Sequence, residues 1–567
     1  MRARLIILPM LSLPNHLHDM LHREPHRVVV TYVSLDGSSK SVRASELGAA
    51  AGAVALHIAA LSLAPRSLVG IVHKSGLWLH AAWLGVIWAG HVPTMIAPPS
   101  PRMEPRKFAD GLSSIVTHLG LDAVVFDAGT RNTLGDLMPA HIPAVMTDDM
   151  VPATNPTPPP APVDLDAEVV VQHTSGTTGA QKAIGFTSRQ IMIQAQAYAE
   201  RLQLRGDDVV VSWLPLYHDM GFIACFVTPL VTGTAIVELS PFDWVQKPGL
   251  LFDAIGAHGG TFCWLPNFAF KVLSEDRLLA TAAQREVTWP LDRVRAFINC
   301  SEPVTASAID RFVTRLAPHG VRREQVIASY AMAENLFAVT QNELGQPRTR
   351  RFVRSTLEVE GRAVPAKSEA SDSVELVSNG PPISTSQVEV RDRDGQLLPD
   401  SAVGQIHVAG THLFPGYRRR SDLTAEVMDA RGFYATGDLG FLCDGEVYVT
   451  GRSKDLIIIR GRNYYPHDVE ALVGEIEGVN PGRVVAFGVP DDASGTEKLI
   501  LMLELLEGSE AASGQIALAV RRKIAQSLDC TVGDLRIVPP RTLVKSTSGK
   551  LARADNRHRY LAMTGAA

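Results

Sequence analysis

The sequence predicts an α/β protein of at least two domains, with parallel strands covered by helices. Short β-branched runs at 67–72, 122–126 and 208–212 alternate with longer segments of helical period, the pattern of strands buried under helices on both faces. The 567 residues exceed the size at which one hydrophobic core keeps growing, so a second domain follows. The strand-like run Val169-Val170-Val171-Gln172-His173 breaks abruptly into a loop dense in glycines and hydroxyls, which points to a ligand-facing loop.

Taken in order, the N-terminus joins a basic start to an apolar run, but no small-residue cleavage site follows, which argues against a secretory leader. Residues 76–93 approach the roughly 18 apolar residues of a membrane span. His80 interrupts them and Gly90-His91-Val92-Pro93 stops them, so a buried helix is expected and no transmembrane segment. Six prolines between 152 and 162 make an extended connector leading to the strand at 169–173. Farther on, 446–450 reads as a strand, Gly451-Arg452-Ser453-Lys454 breaks it, and 455–460 begins another, which marks the domain boundary. Domains of 1–453 and 454–567 are expected.

Charged residues make up 20% of the chain and the formal net charge is −5 with no long block of one sign, so bulk electrostatics gives no reason to expect nucleic-acid binding. Arg348-Thr349-Arg350-Arg351 reads as a solvated loop. The cysteines at 225, 263, 300, 443 and 530 form no C-x-x-C pair, which argues against a zinc site or disulfide framework and for a reducing, cytoplasmic setting.

The loop Thr174-Ser175-Gly176-Thr177-Thr178-Gly179-Ala180-Gln181-Lys182 has the chemistry of a polyphosphate grip. Glycines let backbone N–H groups approach phosphate, and the hydroxyls and ammonium add donors. It is not a Walker A loop, because two residues separate Gly179 from Lys182. On local grounds alone a surface turn fits the same residues.

Its spacing resembles the phosphate loop of the adenylate-forming superfamily, and four further elements match in order. Tyr330-Ala331-Met332-Ala333-Glu334 resembles Y-G-M-x-E, Thr436-Gly437-Asp438 the T-G-D element, Gly451-Arg452-Ser453-Lys454-Asp455 the G-R-x-x-D hinge, and Ser548-Gly549-Lys550 the C-terminal S-G-K. The resemblance implies a large AMP-binding domain and a smaller mobile α+β domain turning about Lys454. It implies that ATP and Mg2+ are used, with Glu334 and Thr178 on the metal, Asp438 and Arg452 at the ribose, Tyr330 against adenine beside Ala331 and Met332, and Asn299, Cys300 and Ser301 along the base's other edge. Cys300 stands where relatives often have glycine.

Lys550 matches the lysine that bridges substrate carboxylate and α-phosphate, two anions that need a cation between them. Trp213-Leu214-Pro215-Leu216-Tyr217-His218-Asp219-Met220-Gly221 resembles a segment typical of fatty acyl-AMP ligases. There His218 positions rather than abstracts a proton, because the acid is already ionised at neutral pH. Residues 240–248, Pro266-Asn267-Phe268-Ala269-Phe270 and 461–470 resemble other elements of that branch, and residues 349–352 its insertion. Trp264, Pro266 and Asn267 are expected at the acyl pocket, with Trp264 narrowing it toward a short, branched or ring-bearing acid. The implied activity is acyl-AMP formation with release of pyrophosphate, then transfer to the phosphopantetheine thiol of an acyl carrier protein. An acyl-CoA ligase and a non-catalytic nucleotide-binding relative are the alternatives.

Overall fold

The computed structural model describes residues 11–99, 105–137, 142–152, 159–160, 163–173, 182–367, 372–460, 462–491, 496–545 and 549–564. The alternating runs form two sheets. In the larger, the strands lie in the order Ala338–Gln341, Val326–Ala331, Ala296–Asn299, Phe262–Leu265, Val209–Ser212, Ala235–Leu239, Val28–Val33 and Ser39–Arg43, parallel except at the two edges. The smaller runs Ala144–Met146, Ala123–Phe126, Leu68–Val72, Val92–Met95, Glu168–His173 and Ala183–Thr187, with only the last pair antiparallel. The glycine-rich loop joins these last two strands, and its residues 174–181 lie outside the described residues.

Helices pack between the sheets. Residues Leu77–Trp88 form the expected buried helix, with Trp83 fully inaccessible against Phe222 and Phe226. It lies directly on the alanine-rich helix Ala44–Ala60, and a Cβ at Gly85 would stand 2.6 Å from Val54 Cβ, so glycine permits the close approach. Among the described residues no helix is long and apolar enough to cross a membrane.

A four-stranded antiparallel sheet follows, Ser386–Arg391, Gly404–Gly410, Tyr434–Cys443 and Glu446–Arg452, and its register sets Asp438 opposite Arg452. The run 348–351 is not a solvated loop. Residues Thr349–Val353 pair antiparallel with Ser373–Val377, and Arg348, Arg350 and Arg351 meet Glu446, Asp444 and Glu375, so distant acidic partners order the basic run as a strand.

Beyond Ile457 a separate hydrophobic core begins. The strands Val479–Asp491, Thr496–Leu505 and Val532–Val538 carry the helices Pro466–Gly474 and Ser513–Leu528, packed through Val469, Val520, Ile524 and Leu501. The last helix, Arg553–Thr564, seats Tyr560 against Phe487. All five cysteines are buried thiols.

Candidate active site

The site is assembled where the ends of central strands meet the antiparallel sheet and the C-terminal loop. Tyr330 and Ala331 end one strand, and Asn299 ends its neighbour. Asp438 sits on the next sheet, largely buried. Its Oδ2 accepts the Tyr330 hydroxyl at 2.6 Å and its Oδ1 accepts Arg452 Nε at 2.8 Å. Burial raises the Tyr330 phenol well above its ordinary value and the Asp438 charge raises it further, while Asp438 holds the Arg452 guanidinium above its ordinary value. The buried Tyr330 bond contributes about 1.5–3 kcal/mol, whereas Arg452 keeps its side chain 56% exposed and solvent screens its bond to well below that. The carboxylate is therefore fixed in place as an acceptor for neighbouring hydroxyls.

Glu334 follows on a short 3-10 turn. Its carbonyl accepts the Phe414 N–H at 2.8 Å, and its Oε1 accepts the Tyr417 hydroxyl at 3.0 Å. Burial raises the Glu334 carboxyl above its ordinary value, and the bond from Tyr417 opposes that shift. Lys182, the first described residue after the glycine-rich loop, stands over the Tyr417 ring at 4.3 Å from its centroid. Among the described residues no three His, Cys, Asp or Glu cluster as metal ligands. A single hard carboxylate is nonetheless what a magnesium ion carried on phosphate oxygens requires, and Glu334, desolvated and hydrogen-bonded by the neutral Tyr417 hydroxyl, fits that need. Thr174, Ser175, Gly176, Thr177, Thr178 and Gly179 lie outside the described residues.

On the other side, Trp213 stacks flat on Trp244 at 3.7 Å, and Phe268 sets its edge against both. Three separate sequence segments thus share one aromatic cluster. Gly549 backs onto it, with Phe268 ring atoms 3.9 Å from where a Cβ would stand. Gly549, and Lys550 next to it, therefore sit beside this cluster. Burial raises the Asp219 carboxyl above its ordinary value, and the Lys550 ammonium pulls it back. Burial likewise pushes the Cys300 thiol up to about 12, an effect that Lys550 opposes.

His218 lies one residue from Asp219, at the start of a π-helical turn over Met220–Val227, a local geometry common at functional sites. Asn267 joins the two edges of the site: its Oδ1 accepts Asn299 Nδ2 at 2.9 Å and the Thr305 N–H at 3.3 Å. Ser301 holds a left-handed backbone, φ +70°, beside fully buried Cys300. Pro266 caps the helix Asn267–Leu273. Met332 N–H bonds the Phe337 carbonyl at 2.9 Å. Lys454 is exposed in the turn after Arg452. Trp264 is 1% exposed, and its indole N–H donates to the Tyr198 hydroxyl at 2.9 Å. That hydroxyl donates in turn to Gln341 Oε1 at 2.9 Å.

Sequence reasoning missed Asp219, Phe268, Tyr417 and Tyr434 as members of the site. Asp219 and Phe268 adjoin residues already singled out. Tyr434 heads the run Tyr434-Ala435-Thr436-Gly437-Asp438, whereas Tyr417 carries no spacing signal, and only the fold brings both to Glu334.

Residues 17–418 match the family model described as AMP-binding enzyme. The chain is 30% identical over 580 residues to the long-chain-fatty-acid–AMP ligase FadD26 of Mycobacterium marinum, covering 97% of each. It is 28% identical over 590 residues to the 4-hydroxyphenylalkanoate adenylyltransferase of the same organism, covering 97% of this chain and 91% of that one. A structure from a study of fatty acyl-adenylate ligases from E. coli and L. pneumophila superposes with a TM-score of 0.87 at 24% identity over 98% of each chain. The L. pneumophila fatty acyl-adenylate ligase in complex with acyl adenylate and pyrophosphate gives 0.74 at 25% identity, covering 98% of this chain and 96% of that one.

Proposed function

Because the chain belongs to the AMP-binding enzyme family, within its fatty acyl-AMP ligase branch, we propose that Lys550 and the Asp438 network together run its acid-activating chemistry. The protein is a ligase that converts a carboxylic acid and ATP to acyl-AMP and pyrophosphate. A carboxylate oxygen attacks the α-phosphorus, the bond to the β-phosphate breaks, and pyrophosphate leaves with its electron pair; no proton is transferred. The barrier is the approach of one anion to another, and it falls when a cation lies between them in a site closed to water.

Lys550 supplies that cation. The supporting observation is Gly549, one residue before it, packed beside Phe268; the opposing effect of its charge on the burial of Asp219 and Cys300 agrees. Asp438, held by Tyr330 and Arg452, accepts the ribose hydroxyls, and Tyr330 with Asn299, Ala331 and Met332 frames the base. Lys182 and the glycine-rich loop grip the β- and γ-phosphates. Glu334, with Thr178, would hold Mg2+, which when bound would neutralise phosphate charge. His218, Pro266 and Asn267 are assigned to the path of the acid.

The acyl group passes to the phosphopantetheine thiol of a carrier protein after the domain beyond residue 453 rotates about Lys454, a gating step. A reducing cytoplasm suits five buried thiols. The names of the relatives span long-chain and ring-bearing acids, so the acid is to be found by panel. Pyrophosphate release across acids of graded length, followed by offering CoA or a holo carrier protein, tests this reading. Acyl transfer to the carrier and not to CoA is expected. Transfer to CoA would make it an acyl-CoA ligase, and no release with any acid would leave a nucleotide-binding relative.

A further inference from the structure

Residues 414–418, Phe-Pro-Gly-Tyr-Arg, are stapled between the two halves of the phosphate side of the site. At one end the Phe414 N–H donates to the Glu334 carbonyl, and at the other the Arg418 N–H donates to the Ala183 carbonyl, both at 2.8 Å. Tyr417 forms an isolated antiparallel bridge with Ile184, in the strand that leaves the glycine-rich loop. Its N–H also donates to Thr424 Oγ1 at 2.9 Å. Gly416 makes the turn at φ +150°, where a Cβ would lie 2.8 Å from the Thr424 methyl. The backbone on both sides of Tyr417 is thereby fixed, and the side chain is 5% exposed.

The two ends of that side chain meet different charges. The ring lies under the Lys182 ammonium, 4.3 Å from the centroid, and the hydroxyl donates to Glu334 Oε1 at 3.0 Å, with the Tyr434 hydroxyl 3.3 Å away. We propose that Tyr417 is a positioning residue that ties the phosphate-loop cation to the Glu334 carboxylate, setting triphosphate grip and metal ligand at a fixed separation before MgATP enters. The proposal rests on the assignment of Lys182 to phosphate and Glu334 to Mg2+.

The choice of side chain follows from what each charge must keep. An acidic partner would neutralise Lys182, whereas an aromatic face attracts the ammonium through its quadrupole and leaves its N–H donors for phosphate oxygens. A basic partner would compete with a metal for Glu334. A neutral hydroxyl orients one oxygen and leaves the negative charge in place. Tyrosine meets both requirements within one rigid ring.

The test measures binding rather than turnover, with the full chain and no acid present. Isothermal titration of ATP is run with and without Mg2+, and Mn2+ binding to the ATP complex is followed by paramagnetic resonance. Tyr417→Phe keeps the ring and removes the donor; it should leave metal-free ATP affinity within about two-fold and cut the metal-dependent gain and Mn2+ affinity about 5-fold. Tyr417→Leu removes both and should lose about 3-fold more in metal-free ATP affinity. Identical losses in the two variants, or a wild-type metal response in Tyr417→Phe, would overturn the proposal. Glu334→Gln and Lys182→Ala serve as references. If they weaken metal response and ATP affinity while the Tyr417 variants do not, the proposal alone fails; if they too change nothing, the underlying assignment fails with it.

Discussion

Replacing Trp264 by phenylalanine separates a core role from a substrate role. The indole is 1% exposed, rests against Phe262 and Tyr198 at ring separations of 6.0 and 6.2 Å, and gives its N–H to the Tyr198 hydroxyl. Phenylalanine removes one buried hydrogen bond, a net loss of about 1 kcal/mol. The Tyr198 hydroxyl keeps its acceptor on Gln341, so no buried donor is orphaned and no larger penalty arises. The smaller ring leaves a partial void, and since truncating tryptophan fully to alanine costs about 3–5 kcal/mol, the step to phenylalanine adds about 1–2 kcal/mol. The total of about 2–3 kcal/mol corresponds to a 30- to 150-fold shift in the unfolding equilibrium. Denaturant unfolding followed by tryptophan-independent circular dichroism measures it, and pyrophosphate release across acids of increasing length measures the pocket. The packing just described predicts lower stability with an unchanged length profile. Full stability with a preference moved to longer acids would refute it and return the indole to the acyl channel.

Asp438→Asn removes the charge that Tyr330 and Arg452 address, and the Michaelis constant for ATP should rise about 10- to 100-fold in pyrophosphate exchange, since a charge-assisted bond is worth about 1.5–3 kcal/mol. Gly416→Ala forces a side chain onto a φ of +150° against Thr424 and should cost about 1–3 kcal/mol, read as a lower unfolding midpoint together with weaker ATP binding. Burial holds His173 and His412 down at about 4, so between pH 6.5 and 4 the unfolded chain takes up protons that the folded chain refuses. The stability these two histidines contribute is therefore complete above pH 6.5 and is lost as the pH drops through that window; melting temperatures from pH 7.5 to 4.5 compared between the wild type and His412→Gln measure it, the variant losing less.

The parallel sheets were legible because strands buried on both faces must be written in β-branched residues, as at Val209–Ser212 and Leu68–Val72. Thr-Gly-Asp and Gly-Arg were singled out in the sequence as well, and they lie on adjacent strands whose register sets Asp438 against Arg452. What stayed hidden depends on contacts between distant segments. Nothing near Arg350 announces Asp444, so a paired strand read as a loop. Nothing around Trp213 announces the flat stack with Trp244, nor does the sequence near Gly416 announce that Tyr417 will span Lys182 and Glu334. Local patterning encodes which face is buried; it does not encode which side chains of different segments share a site.

Acid activation by this chain requires the Lys550 ammonium to enter the larger domain and neutralise the acid as it meets ATP. Acid-dependent ATP–pyrophosphate exchange by Lys550→Ala, measured beside calorimetric ATP binding, tests it most directly. Loss of exchange by at least about 100-fold with ATP affinity retained is the expected result, the scale of removing one preorganised electrostatic group. Exchange at the wild-type rate would show that Lys550 has no part in the step.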